Sequence, residues 1–289
     1  MSTDFFVIKL LYVNNSFSQR FFSVKFKIYG NSLDFVIPYT YIFRNGSIIM
    51  RKAAIVTGAS GDIGAAISKK LIKHGYIVIG TYFTNEEYIK QLSKQLGDHF
   101  HCFQCDLSDF DSAHNLLVYI EENQFQIELL INNAGISVVG LLQDLTKETW
   151  DNIWNTNVTS AVSLSRAVIP LFLKQGFGKI INISSVWGNC GASCEVAYSA
   201  TKGAINTFTK ALAKELAPSN IQVNAIACGI IDTKMNAHLD KEDLDYIIEE
   251  IPAGRIGTPE DVAETVYALS ITSSYMTGQI ITLDGGWTV

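Results

Sequence analysis

Basic residues are too few to give this chain a field for polyanions: 22 Lys and Arg stand against 28 Asp and Glu, a net charge of −6. Nucleic acid is therefore not an expected partner. A membrane is not expected either, because no uninterrupted apolar run is long enough to span a bilayer. Cysteine is scarce and irregularly spaced. The five, Cys102, Cys105, Cys190, Cys194 and Cys228, make no disulfide framework and fit a reducing cytosol. Cys102 and Cys105 form a C-x-x-C at the end of a strand-like run with no second ligand pair nearby. They are expected to be small buried apolar residues, neither a metal site nor a redox pair. There is no internal repeat, low-complexity segment or interdomain linker. Charges do not gather into tails. The acidic stretch 240–250 is interrupted by Leu244, Tyr246, Ile247 and Ile248, and reads as an amphipathic helix or lid.

What the chain has is apolar surface: 48% of its residues are hydrophobic, enough to bury one large core. Residues 1–49 stand apart. They hold twelve of the 28 Phe and Tyr residues and show no helical pattern. Asp4 and Lys9 break the order of a secretory signal. The expectation is an extension of uncertain status upstream of a natural start at Met50. The rival is a small β appendage or anchor, since Ser23 to Tyr29 alternates like a strand.

From residue 53 short apolar runs alternate with helical stretches. Strands are predicted at 53–57, 76–82, 100–105, 128–132, 179–184, 221–227 and 279–283. Each is nearly continuously apolar, as parallel strands covered on both faces must be. Helices are predicted at 63–74, 85–96, 109–123, about 146–174, 196–217 and 259–271, the last capped by Thr258 before Pro259. This alternation implies a single α/β domain over 50–289: a doubly wound Rossmann-type fold with a parallel seven-stranded sheet flanked by helices.

The first strand runs into Thr57-Gly-Ala-Ser-Gly-Asp-Ile-Gly64 and then a helix. A glycine-rich turn there lets backbone N–H groups approach a pyrophosphate at a helix N-terminus. The segment resembles the T-G-x-x-x-G-x-G fingerprint of the short-chain dehydrogenases/reductases, with Asp62 in place of the middle glycine. Asn132-Asn-Ala-Gly135 and Leu283-Asp-Gly-Gly286 are similar to two further motifs of that family, and the resemblance covers about 53–289. It implies a nicotinamide dinucleotide held by Gly58, Ser60, Asp62, Ile63, Gly64, Tyr82, Asp106, Asn133, Ala134 and Gly135, together with Tyr198, Lys202, Ile231 and Thr233. An acidic side chain beside a diphosphate is unfavourable unless it points away or caps the helix. NAD-preferring relatives carry an acid where this chain has Tyr82, so nothing repels a 2′-phosphate. No basic residue stands at Gly61 or Phe83, where many NADP-using relatives place one. NADPH is expected ahead of NADH.

Tyr198-Ser-Ala-Thr-Lys202 puts a phenol and an ammonium on one helix face. Reducing a ketone needs a proton donor for the oxygen. A Tyr titrates near 10, so work near neutrality calls for a downward shift of about three units. The Lys202 ammonium is expected to lower Tyr198. Ser185, after the predicted strand 179–184, can hold the substrate oxygen beside it. The resemblance implies the same roles, with Tyr198 as acid/base, Lys202 also on the nicotinamide ribose, Ser185 orienting the substrate and Asn157 holding a proton-relay water. No metal is expected.

The resemblance points to 3-oxoacyl-acyl-carrier-protein reductases, supported by Ile251-Pro-Ala-Gly-Arg-Ile-Gly257. Yet Gly176 and Ser219 occupy the places where those enzymes carry basic carrier-docking residues. A second resemblance runs through Ser185-Val-Trp187-Gly and Gly191 to Val196. It is to bacterial reductases of the 5-aminopentanone modification on elongation factor P. Trp187 and Glu195 then join Ser185 and Tyr198 at the substrate, the carboxylate pairing with an amine. Glu195 reads equally well as a solvated or helix-capping residue. Residues 230–253 are the expected lid. A catalytically idle nucleotide sensor on the same fold is the reading from another class. The family also implies a homotetramer or homodimer, through the helices near 146–174 and 196–217.

Overall fold

The computed structural model describes residues 21–28, 31–38, 41–44, 47–50, 52–110, 112–237 and 239–289. Before the main domain, strands β1 (Phe21–Ile28) and β2 (Asn31–Pro38) pair antiparallel, as do β3 (Tyr41–Arg44) and β4 (Ser47–Met50). The strand expected from Ser23 thus lies within a hairpin, and the expectations for residues 1–20 lie outside the described residues.

The parallel sheet has seven strands: β5 (Lys52–Val56), β6 (Ile77–Tyr82), β7 (Phe100–Gln104), β8 (Gln126–Asn132), β9 (Gly178–Ser185), β10 (Ile221–Cys228) and β11 (Ile280–Leu283). Their spatial order is β11-β10-β9-β8-β5-β6-β7. The chain winds outward in both directions from the junction of β5 and β8. Crossovers diverge there and leave a crevice at the strands' carboxyl ends.

The nine helices described in the main domain are α1 (Asp62–Lys73), α2 (Glu86–Leu96), α3 (Ala113–Glu122), α4 (Lys147–Trp154), α5 (Ser160–Gln175), α6 (Trp187–Cys190), α7 (Val196–Leu216), α8 (Lys241–Glu250) and α9 (Pro259–Ile271). Alternate residues of each strand feed two separate cores. Ala54 and Val56 face α1 and α9 with Ile67, Leu71, Val262 and Val266, while Ala53 and Ile55 face α3, α5 and α7 with Leu116, Phe172 and Leu212. Fully burying each large apolar side chain contributes on the order of 1.5–3 kcal/mol. Helix α9 begins with a capping box between Thr258 and Asp261. The Arg255 guanidinium grips Asp261 and holds its carboxyl well below the usual carboxylate range.

Three expectations need correction. The helix predicted over 146–174 is broken by a π-turn at Asn155–Thr159, because Asn157 is drawn into bonds with its neighbours. The helix predicted from 109 begins only at Ala113, after a turn in which Ser112 donates to the Asp109 carbonyl. Cys102 is exposed and Cys105 half-buried, because β7 is the edge strand and its outer positions lack a covering helix.

Candidate functional site

The crevice is built by stitching two loops together. Thr57 Oγ1 accepts from the N–H groups of Asn133 (2.8 Å) and Ala134 (2.9 Å), and Asn133 Nδ2 donates back to the Thr57 carbonyl at 2.9 Å. Gly58 has φ +62°, which favours glycine, and a Cβ there would stand 3.0 Å from the Ala134 Cα. A Cβ on Gly64 would lie 2.3 Å from the Gly58 carbonyl oxygen. These two glycines let the loop fold flat between β5 and the start of α1, next to a cleft of about 620 Å³.

Gly58, Ser60, Asp62, Ile63, Gly64, Tyr82, Asp106, Asn133, Ala134, Gly135 and Thr233 all line this cleft. Asp106 turns inward on its own loop, accepting from Ser108 N (3.0 Å) and Oγ (2.6 Å). Asp62 makes no helix-capping bond. Its Oδ2 instead accepts from the Lys234 N–H at 2.9 Å, which ties the first loop to the lid. Ile231 lines the adjoining cavity, and its carbonyl accepts from Asn236 Nδ2 at 2.7 Å.

The second half of the site grows from β9 and α7. Tyr198 and Lys202 lie one turn apart on α7, below Ser185 at the end of β9. Lys202 Nζ donates to the Ile183 carbonyl at 3.0 Å and stands 5.5 Å from the centre of the Tyr198 ring. A Cβ on Gly135 would lie 3.3 Å from Asn157 Oδ1 and 3.4 Å from Lys202 Nζ. The missing side chain thus leaves space where the two halves meet. Asn157 Oδ1 accepts from the Ile136 N–H at 2.8 Å, while Nδ2 donates to the Ile136 carbonyl (2.9 Å) and Thr201 Oγ1 (3.0 Å). Both of its donors are spent on anchoring the loop after β8 to α7.

Electrostatics at Tyr198 differ from expectation. Burial raises the phenol above its ordinary value of 10, nearby Cys228 and Glu195 add to the rise, and a hydrogen bond with Ser185 opposes it. The lowering by Lys202 expected from sequence is not what dominates, because both groups have been taken out of water. Burial pushes Lys202 itself down to about 8, partly offset by Cys228, whose own thiol burial pushes up to about 12.

Lys202 therefore carries a stability cost. Its folded value lies below the unfolded 10.5, so between pH 8 and 10.5 the unfolded chain keeps a proton that the folded chain has released. Stability should rise with pH across that window. The full cost, on the order of 3 kcal/mol, is present below it. Lys202→Met is expected to melt above wild type at pH 7 in the ligand-free protein, with the gap closing towards pH 10. A gap that stays constant in thermal melts across that range would contradict this account.

Ser185, Trp187, Glu195 and Tyr198 line the second cavity, of about 490 Å³. Glu195 occupies the N-cap position of α7 but makes no capping bond; its Oε2 accepts from Ser137 Oγ at 2.7 Å. The Trp187 and Trp287 rings meet at 5.1 Å, and Trp287 Nε1 donates to Glu250 at 3.2 Å. Met235, Leu239 and Ile247 close the cavity from the lid, as expected for 230–253.

Residues 52–244 match the family model described as short chain dehydrogenase. The chain belongs to that family. Among curated short-chain dehydrogenase relatives, an uncharacterized oxidoreductase of Bacillus subtilis (strain 168), YmfI, is 41% identical, covering 82% of this chain and 99% of its own. The 3-oxoacyl-[acyl-carrier-protein] reductase FabG of Haemophilus influenzae is 39% identical over 81% of this chain and 97% of its own. Among solved structures, a 3-ketoacyl-(acyl-carrier-protein) reductase from Brucella melitensis complexed with NADH superposes with TM-score 0.77 at 27% identity, over 82% of this chain and 98% of that one. A putative gluconate dehydrogenase from Agrobacterium tumefaciens gives TM-score 0.79 at 30% identity, over 82% and 96%. The chain is thus a short-chain dehydrogenase, an oxidoreductase with a Rossmann-type fold.

Several residues of this short-chain dehydrogenase site were not singled out from sequence as parts of it. Ser137 and Trp287 line the second cavity, Thr201 anchors Asn157, and Lys234 overhangs the cleft. None has a local signal, because each acts through a partner distant in the chain. Asn182 was equally silent: it bridges Asn132 (2.8 Å) and Thr209 (2.8 Å) beneath the crevice.

Proposed function

We propose that the chain is a carbonyl reductase that uses a reduced nicotinamide dinucleotide, NADPH in preference to NADH, to convert a ketone into a secondary alcohol. The observation that carries this reading is the convergence of Ser185, Tyr198 and Lys202 on one cavity beside the glycine-loop cleft. The residues fit the dinucleotide: the loop brings backbone N–H groups to the N-terminus of α1, Gly135 leaves room beside Lys202, and the Lys202 ammonium favours a ribose hydroxyl. When bound, the dinucleotide supplies the hydride.

Ser185 Oγ and Tyr198 Oη donate hydrogen bonds to the ketone oxygen and hold it between them. As charge grows on that oxygen, the Tyr198 proton passes to it, which balances the incoming hydride and leaves the alcohol. The upward shift of the resting phenol keeps it protonated at neutral pH, the form reduction consumes. Lys202 then stabilises the phenolate until a proton from water restores it.

For the substrate, the FabG relatives support a 3-oxoacyl group on a carrier protein, and the apolar lid residues suit its chain. Glu195 favours a second reading, the 5-aminopentanone modification on elongation factor P, because its carboxylate faces the cavity where an amine would pair with it. The deciding assay follows NADPH oxidation with acetoacetyl carrier protein and with the modified factor. Glu195→Gln is expected to raise KM about tenfold for the amino ketone and to leave a neutral β-ketoester unchanged. Turnover of the carrier substrate alone would discard the second reading.

Residues 50–289 would carry the whole activity, in the cytoplasm, without membrane or nucleic acid. Among the described residues no helix is long and apolar enough to cross a membrane. The exposed Leu173 on α5 and Val196 on α7 suit a homotetramer or homodimer, which sedimentation would test.

A further inference from the structure

The sequence shows no cation at the positions where a 2′-phosphate is usually gripped, yet the fold brings one there from the opposite side of the cleft. Lys234 follows Thr233 in the lid, more than 140 residues after the β6–α2 loop in the chain. Its backbone N–H is pinned to Asp62 Oδ2 at 2.9 Å. Its side chain reaches across the cleft to α2, where Nζ stands 5.3 Å from the centre of the Tyr88 ring. The same cleft is lined by Tyr82, Phe83, Thr84 and Asn85, the loop that receives the adenosine ribose in the fold read above.

We propose that Lys234 selects the 2′-phosphorylated dinucleotide, its ammonium being presented from the lid to the adenosine end of the cleft. The inference rests on the reading that this cleft holds a nicotinamide dinucleotide. Tyr82, at the end of β6, puts no carboxylate at that position to reward a free ribose hydroxyl pair. Lys90, a cation on α2, is held by Glu86 at 2.6 Å. Among the described residues no carboxylate pairs with the Lys234 ammonium, and the aromatic face that supports it helps to place it. Asp62 explains itself in the same arrangement. Its carboxylate accepts from the Lys234 N–H and fixes the backbone from which Lys234 projects, so the departure from the glycine fingerprint and the missing clamp become parts of one device.

The test is binding, measured without ketone. Isothermal titration of wild type, Lys234→Gln and Lys234→Arg with NADPH and NADH is paired with 2′,5′-ADP and 5′-ADP as probes lacking the nicotinamide. Lys234→Gln is expected to weaken NADPH and 2′,5′-ADP about tenfold, as loss of one charge-assisted contact would. NADH should stay within about twofold, and Lys234→Arg should restore most of the NADPH affinity. Equal losses for NADPH and NADH would overturn the proposal by making Lys234 a diphosphate or loop-placing residue. Unchanged NADPH binding in Lys234→Gln would overturn it as well. Wild type that binds neither dinucleotide would sink the functional reading itself, whereas wild type that binds both, with an inert Lys234, sinks only this inference.

Discussion

Replacing the Tyr198 hydroxyl with hydrogen, Tyr198→Phe, is expected to lower kcat for ketone reduction by about a thousandfold or more while dinucleotide affinity stays within about twofold. The side chain is half-buried against the cavity, and Phe has nearly its shape, so the cavity and the α7 backbone should persist. What disappears is the phenol proton beside Ser185. Ser185 cannot take over, because an alcohol is too weak an acid to follow the developing charge. Lys202 supports the phenolate through its charge, 5.5 Å from the centre of the Tyr198 ring, and does not stand in for the phenol at the ketone oxygen. Stopped-flow measurement of hydride transfer, together with titration of the dinucleotide, separates chemistry from binding. A variant that reduces ketones within about tenfold of wild type would remove the phenol from the mechanism.

The second large effect is expected from a single methyl group. In Gly64→Ala the added carbon would meet the Gly58 carbonyl oxygen at 2.3 Å and the Ala59 Cα at 2.8 Å. Both obstacles are backbone, so no side chain can swing aside. The loop must lift off the start of α1, carrying its N–H groups with it. Overpacking of this kind costs about 1–3 kcal/mol, and we expect dinucleotide affinity to fall by about thirtyfold or more, with a melting temperature several degrees lower. The control lies three residues away. A Cβ on Gly61 would find only the Gly58 oxygen, at an ordinary 3.4 Å, and its φ of −90° suits any residue. Gly61→Ala should therefore bind as wild type does. Equal losses in the two variants would mean that the loop is sensitive to any bulk and that the close approach at Gly64 is not the cause.

Much of this was legible along the chain because of where the information resides. The seven strands could be placed within a few residues, since a strand covered on both faces writes its burial directly as a continuous apolar run. The Gly58–Gly64 loop, Asn132–Gly135 and Tyr198–Lys202 were readable for a related reason: each carries its chemistry at fixed local spacing. Where an interaction closes over long separation, the sequence is mute. Nothing near Asn157 announces that Ile136 and Thr201 will unwind its helix into a π-turn. Nothing near Asp62 announces Lys234. Charge was the least legible of all. Tyr198 and Lys202 at helical spacing suggest an ammonium acidifying a phenol, but their values follow from how far both are withdrawn from water, which depends on β9, β10 and the lid together.

The two tryptophans at the proposed substrate cavity have a practical use. Trp187 and Trp287 face each other there, whereas the remaining pair, Trp150 and Trp154, stack on each other at 5.5 Å on α4. Two of the chain's four indoles thus line the cavity that holds Ser185 and Tyr198, and the other two do not. Intrinsic fluorescence should therefore sense occupancy directly, and Trp150→Phe/Trp154→Phe would leave a protein whose remaining glow comes from the mouth of the cavity alone, fit for watching a substrate arrive without any attached dye.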